Sequence, residues 1–304
     1  MKSLLVLLIA TYLLSGFVST QVGLPASSQV PIRVLVAGIL ALPFLSVRRL
    51  KALSPRSLAI CFATALGGYI IGAWAFSHAI ALGGYAVAVF VTSLPWLGFV
   101  ELAVKKGCIA RGEVVVLGLS TIGALVFFAP SLSLERGVDN IAAIITWSLV
   151  AALAGAFAQY ARRFHRHGVS SFAVADGVLV SAVIQALAFI GAVDLYLKVG
   201  LDVLWLIIGG GCYFISNRLS NIVFASVSPT LAAVWMSTEP TIALVISALF
   251  LGACPNALEF VGGGILLGAA VCKSWRGNIE EEIEREEQEL ERIAPRMGVR
   301  DGRC

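Results

Sequence analysis

Apolar runs long enough to cross a lipid bilayer recur ten times along this chain. They lie at 3–20, 30–46, 57–80, 85–103, 114–130, 141–161, 172–193, 203–223, 229–250 and 258–275. About 20 apolar residues cross the hydrocarbon core as a helix, and backbone at that depth must satisfy its own hydrogen bonds. The predicted fold is therefore all-α and integral to the membrane. Composition agrees: 59% of residues are hydrophobic and 13% charged, with a mean hydropathy of +0.91, where soluble domains carry roughly 25% charged residues. A soluble globular domain, a disordered chain and a nucleic-acid-binding protein are all excluded by that balance. The first run, LLVLLIATYLL after Lys2, has the start of a signal peptide. No small-x-small cleavage site follows it, and it is retained as a span.

Charge then sets orientation. Residues 1–279 hold 17 Lys+Arg against 9 Asp+Glu, while residues 280–304 hold 5 Arg against 9 acids. With the N-terminus in the cytoplasm, the inner side carries Lys2, Arg48, Arg49, Lys51, Arg56, Lys105, Lys106, Arg111, Arg162, Arg163, Arg166, Arg218, Lys273 and Arg276. The outer side carries Arg136 and Lys198, with Arg33 near the outer end of the second span. Basic residues favour the cytoplasmic loops. Both termini are expected in the cytoplasm and the protein in the cell membrane, in contact with lipid. The six cysteines form no CxxC pair and no His stands at metal-ligand spacing, so no disulfide framework, metal site or cofactor is expected.

The chain repeats itself. Residues 85–126 align without gaps on 230–271 at an offset of 145. The matches include Ala88/Ala233, Pro95/Pro240, Val100/Val245, Ala103/Ala248, Gly118/Gly263 and Gly123/Gly268. The earlier parts align through Ser27-Ser28 and Ser170-Ser171, which sets Arg33 opposite Asp176. Each half holds five spans. An odd number makes the second half enter from the other side, giving an inverted repeat, a common plan in transporters. The expected units are a first repeat over 1–130, a second over 141–275, and an acidic cytoplasmic tail over 276–304. Within the tail, Ile279, Ile283, Leu290 and Ile293 predict a short amphipathic helix. That helix can pack under the membrane body or join copies into a homo-oligomer.

Residues 228–271, SPTLAAVWMSTEPTIALVISALFLGACPNALEFVGGGILLGAAV, resemble the last two helices of the EamA-like, ten-span exporters of the drug/metabolite transporter superfamily. The marks are Glu239-Pro240, Gly252, Gly263 and Gly268, echoed in the first half by TSLPWLGFVELAV with Gly118 and Gly123. Arg33 in PIRVLVAGILALPF stands where that family often has an arginine. Ser15-Gly16 replaces the family's frequent Trp-Gly, and Cys108 and Ala253 stand where it often has Glu. The resemblance covers about residues 3–275 and implies a transporter of small metabolites.

Pro95 and Pro240 are hinge candidates, because a proline removes a helix hydrogen bond and frees a carbonyl at membrane depth. Glu239 is the coupling candidate: a carboxylate at mid-membrane must face a cavity, carry a proton or pair. Arg218, in SNRLSN with Asn217 and Asn221, can either pair with Glu239 or snorkel to the inner surface. His78 can relay a proton or simply bond to backbone. Gln159 and Gln185 suit interhelical hydrogen bonds. Tyr12, Trp74 and Trp235, with Tyr69, Trp147 and Tyr213, are candidate lining for a pocket holding a small-molecule substrate, or alternatively lipid-facing rings.

The predicted function is secondary transport of a small metabolite, such as an amino acid or related amphipathic compound, by alternating access, with proton coupling or facilitated exchange. The alternative is a nucleotide-sugar or sugar-phosphate carrier of the same superfamily, which wants buried Lys or Arg near the last helices. A channel or scaffold lacks a filter repeat to support it. An enzyme is disfavoured because no catalytic constellation is clustered in sequence, and GxxxxGK[ST] is absent.

Overall fold

The computed structural model describes residues 2–21, 26–104, 111–134, 140–162, 169–189, 201–251 and 254–293. Every regular element among them is helical. Six stretches are long and apolar enough to cross a membrane: Pro55–Ala81, Arg111–Leu132, Ile141–Ala161, Ser171–Phe189, Pro229–Ile246 and Ala257–Trp275. A seventh is a pair, Tyr85–Ser93 and Trp96–Val104, bent by 40°. Two shorter apolar helices cover Ser3–Val18 and Ser28–Phe44. The protein is thus an all-helical membrane bundle.

In chain order, α1 is Lys2–Gln21 and α2 is Ala26–Ala41, followed by a 3-10 turn at Leu42–Phe44 and a short α3, Val47–Lys51. Next come α4 (Pro55–Ala65), a π-helical segment (Leu66–Gly72) and α5 (Ala73–Ala81), which together form one long rod. The bent pair is α6 (Tyr85–Ser93) and α7 (Trp96–Val104), and α8 is Arg111–Leu134. The remainder is α9 (Ile141–Ala161), α10 (Ser171–Phe189), α11 (Leu201–Ser226), α12 (Pro229–Met236), α13 (Glu239–Leu251) and α14 (Ala257–Ile293). Two of these helices begin alike. Ser54 and Ser228 cap α4 and α12, each accepting a backbone N–H three residues on at 3.2 Å, with a proline next in sequence. Proline is suited to the first helical position, where its missing N–H leaves nothing unpaired.

Pro95 lies within a helix break, and Pro240 is the second residue of the helix that follows one. Pro95 has no N–H for the carbonyl of Val91, and Leu94 before it is extended. The indole of Trp96 supplies a replacement, donating to Val91 O at 2.6 Å. In the second half, α12 stops at Met236, whose carbonyl loses its donor at Pro240, and α13 restarts at Glu239. The other repeat markers divide. A Cβ at Gly123 would meet Leu266 and Ile265 at 3.0 Å, and one at Gly263 would meet Thr241 at 2.8 Å, but Gly118 and Gly268 face open space. Their recurrence has no packing reason here.

Helices α8 and α14 cross closely and antiparallel: Gly262 lies on Phe127, Gly123 on Leu266, and Lys273 reaches Glu113 at 3.4 Å. Elsewhere, α11 packs on α1 and α2, while the Pro55–Ala81 rod packs on α9 and α10. Buried faces of α9 and α10 are rich in alanine, including Ala151, Ala152, Ala156, Ala173, Ala175 and Ala182. Small residues let helix backbones approach where lipid removes the hydrophobic drive between them. The segment expected as a separate short helix over 279–293 instead continues the last membrane helix without interruption, as part of α14. Residues 294–304 of the tail lie outside the described residues.

Candidate functional site

Polar and aromatic side chains from both halves converge inside the bundle. Tyr12 on α1 shares a hydrogen bond of 3.2 Å with Ser220 on α11. Tyr69 comes from the π segment and sets its ring edge-on to Tyr213 of α11, with centroids 5.7 Å apart. A π turn adds a residue and re-aims the side chains around it, and such turns are frequent at functional sites. Glycines make this one possible: Gly72 lies against the carbonyl of Gly67, and Gly67 against that of Ala154.

Two guanidinium groups bracket the tyrosines. Arg33 on α2 is 2% exposed, donates to Ser15 O at 3.5 Å and engages the Tyr213 side chain. Its shaft lies where a Cβ at Gly209 would stand, so glycine at 209 makes room for it. Arg162, at the end of α9, is 6% exposed; it meets Tyr69 and lies 5.9 Å from the Phe224 ring centroid. Tyr69 also engages Ser216. Neither Arg162 nor the π turn is marked as part of a site by the sequence. The sequence marks Arg33 as a family position opposite Asp176 in the repeat, and Arg162 as a cytoplasmic cation. A guanidinium one residue beyond an apolar run gives no sequence sign of whether it folds inward.

Of the two alternatives for Arg218, pairing with Glu239 or reaching the inner surface, the pair with Glu239 is not formed. Arg218 contacts Asp176 on α10 instead, Nη2 to Oδ1 at 2.5 Å, and donates to Phe172 O at 3.2 Å. Asp176 is fully buried and has a second cation, Arg49 of α3, at 2.9 Å. Neither ion pair is aligned as a hydrogen bond. Phe44, Phe172 and Phe214 complete this cluster, lining with both arginines a cleft of about 240 Å³. Arg218 therefore does not snorkel freely, because a buried carboxylate holds it. Glu239 is the first residue of α13, with no ion-pair partner among the described residues, and its charge lies within electrostatic range of Tyr85. A carboxylate suits that place, since the helix N-terminus carries partial positive charge.

The remaining candidates scatter. His78 stacks on Trp74 at 5.6 Å and meets Trp147 edge-on at 5.0 Å. The three rings fill one another's faces, which gives His78 a packing role. Trp235 donates to Ser274 at 2.9 Å, tying α12 to α14. Asn217 is fully buried and donates to Ala175 O at 2.7 Å, so it joins α11 to α10. Gln185 does the same between α10 and α4, donating to Phe62 O at 3.0 Å. Glu101, unremarked in sequence, accepts from both the backbone N–H and the hydroxyl of Thr230 at 2.9 and 2.8 Å. It caps the second half's α12 with a carboxylate from the first half.

No protein-family model and no curated protein matches the chain. A solved structure described only as the crystal structure of a protein is similar over 88% of this chain and 95% of its own, with a TM-score of 0.69 and 17% sequence identity. At that identity the likeness concerns the fold alone.

Proposed function

We propose that the protein is a secondary transporter of a small metabolite, such as an amino acid or related amphipathic compound. It works by alternating access between two inverted repeats of five spans, in the manner of the EamA-like exporters. The observation that carries this reading is that α6 and α7 are interrupted at residues 94–95 and α12 and α13 at 237–238, 143 residues further on and next to Pro240, the repeat mate of Pro95. Interrupted helices at matching places in two halves favour a site or hinge between them. The antiparallel crossing of α8 and α14 suits an inverted repeat, since these are equivalent spans. So does the exchange of packing partners, with α11 against α1 and α2 and the Pro55–Ala81 rod against α9 and α10. On this reading α1, α2, α11 and the bent pair complete the ten spans. The site between the repeats is the Tyr12, Arg33, Tyr69, Arg162 and Tyr213 cluster. The sugar-phosphate alternative is weakened because Lys273 is already paired with Glu113.

Transport is tested with purified protein in liposomes, screened against amino acids, amines and drugs with and without a pH gradient. Where Glu239 couples flux to protons, Glu239→Gln keeps the side chain's shape but removes proton exchange. We expect gradient-driven flux to fall at least tenfold while insertion and folding stay intact. Wild-type flux with unchanged pH dependence would assign Glu239 to helix capping. Topology is checked with single cysteines on a cysteine-less background. Positions 48 and 111 should label from the cytoplasm and position 256 from outside. Labelling of 111 and 256 from the same face would remove the inverted repeat.

A further inference from the structure

We propose that Arg162 binds a carboxylate of the transported compound, so that the central site is selective for monoanionic, partly apolar molecules. This rests on the transport reading above and names its substrate class.

The argument begins with charge. Arginine stays protonated in proteins, so the Arg162 guanidinium keeps its charge inside the bundle. It is 6% exposed, and its Nε and Nη1 have no hydrogen-bond partner among the described residues. Removing a cation from water without a counter-charge is strongly unfavourable. Among the described residues, acids that could balance it are engaged elsewhere, and Glu239 lies instead by Tyr85. Asp176 is held between Arg49 and Arg218, Glu101 by Thr230, and Glu113 by Lys273. Asn217, Asn221 and Ser216 bond within α11 or to α10. Among the described residues, Arg162 is left with ring faces, a phenol and the Cys61 thiol.

Those rings indicate the rest of the ligand. Phe224 lies under the guanidinium and Tyr69 beside it, with Tyr213 edge-on to Tyr69. Aromatic walls with one fixed charge match a compound having an apolar body and one anionic end. Arg33, the other guanidinium of the cluster, is engaged by Ser15 O and the Tyr213 side chain, so the charge offered to the ligand is that of Arg162. A phosphomonoester carries about −1.5 to −2 at neutral pH and exceeds the charge of the Arg162 guanidinium alone, whereas a carboxylate balances it. The carboxylate oxygens accept from Arg162, a charge-assisted contact stronger than a neutral one. Tyr69 is delivered to the same place by the π turn, so the geometry of span three serves this contact.

The test uses the full-length protein in detergent and follows thermal unfolding with benzoate and 3-phenylpropanoate against benzamide and 3-phenylpropanamide. Each amide matches its acid in shape but lacks the charge. We expect both carboxylates to raise the unfolding temperature, and to bind about tenfold or more tightly than their amides. Arg162→Gln should remove that preference while leaving the ligand-free protein as stable as wild type or more so, because an unpaired buried charge is gone. Arg162→Lys should retain part of it. Equal responses to acids and amides, no response of the wild type to either acid, or an Arg162→Gln protein that is less stable yet still prefers acids would overturn the assignment. Flux is measured separately in liposomes. Carboxylates that bind but never cross would sink the transport reading and leave Arg162 as an anion site. Flux of neutral compounds without carboxylate binding would do the reverse.

Discussion

Asp176→Asn should be among the most destabilising substitutions in this protein, by about 3–5 kcal/mol. The change is nearly isosteric, so the effect is electrostatic. Asp176 is completely buried and faces Arg218 at 2.5 Å and Arg49 at 2.9 Å. An amide leaves both guanidinium groups without a counter-charge. The larger share comes from Arg218, whose side chain is 13% exposed, because Arg49 at 35% retains contact with solvent. Thermal unfolding followed by tryptophan fluorescence should show the loss. A second change discriminates: adding Arg218→Gln to Asp176→Asn should recover part of the stability, since the unpaired charge is then removed. If the double variant is as unstable as the sum of the singles, Asp176 acts through packing and the ion pair contributes little.

A comparable loss is expected from Gly262→Leu, for a steric reason. A Cβ at 262 would stand 2.4 Å from the backbone nitrogen of Phe127, 2.6 Å from its Cα and 2.7 Å from the carbonyl of Gly123. These are main-chain atoms of α8 and cannot rotate aside, so α8 and α14 must separate along their crossing. Separation breaks the packing of Phe127, Phe128, Ala124 and Leu266 and strains the Lys273–Glu113 contact. Overpacking of a close interface costs about 1–3 kcal/mol, occasionally more, and a backbone clash with a branched side chain belongs at the upper end. Size-exclusion profiles and unfolding temperature report it. Gly118→Leu and Gly268→Leu are the controls, because nothing lies within 4 Å of either added Cβ. If all three behave alike, glycine at 262 is not set by the crossing.

Much of the architecture could be read from the apolar runs, because lipid leaves so few ways to satisfy a backbone. Pro95 was also legible as a break, since its missing N–H acts locally whatever surrounds it. The side-chain site was harder. Aligning the halves drew attention to Asp176 and Arg33, yet their partners come from elements far away in sequence. Arg49 lies in a short helix between spans, and counting it as a cytoplasmic cation gave no hint that it turns toward a buried acid. Glu101 was hidden for a similar reason, because its ligand is the start of a helix 129 residues further on. Helical periodicity assumes a constant turn, and so cannot reveal the segment where the turn widens. His78 and Trp235 show how neighbours shape suggestive residue types, the one stacked among rings and the other bonded to Ser274.

The widened turn at Leu66–Gly72 divides one rod into two sections that are aimed independently. An α-helix advances about 100° per residue, so one residue more or less in this stretch turns everything beyond it by that angle relative to everything before it. Cys61 and the face that meets α10 lie on one side of the joint; Trp74 and His78, which meet Trp147, lie on the other. Deleting a single residue between them would keep the rod apolar and of nearly the same length, yet swing one end's side chains away from their neighbours. Sequence change on either side can therefore retune one end of the rod while the other keeps its bearing, and Tyr69, at the joint itself, marks where the two settings meet.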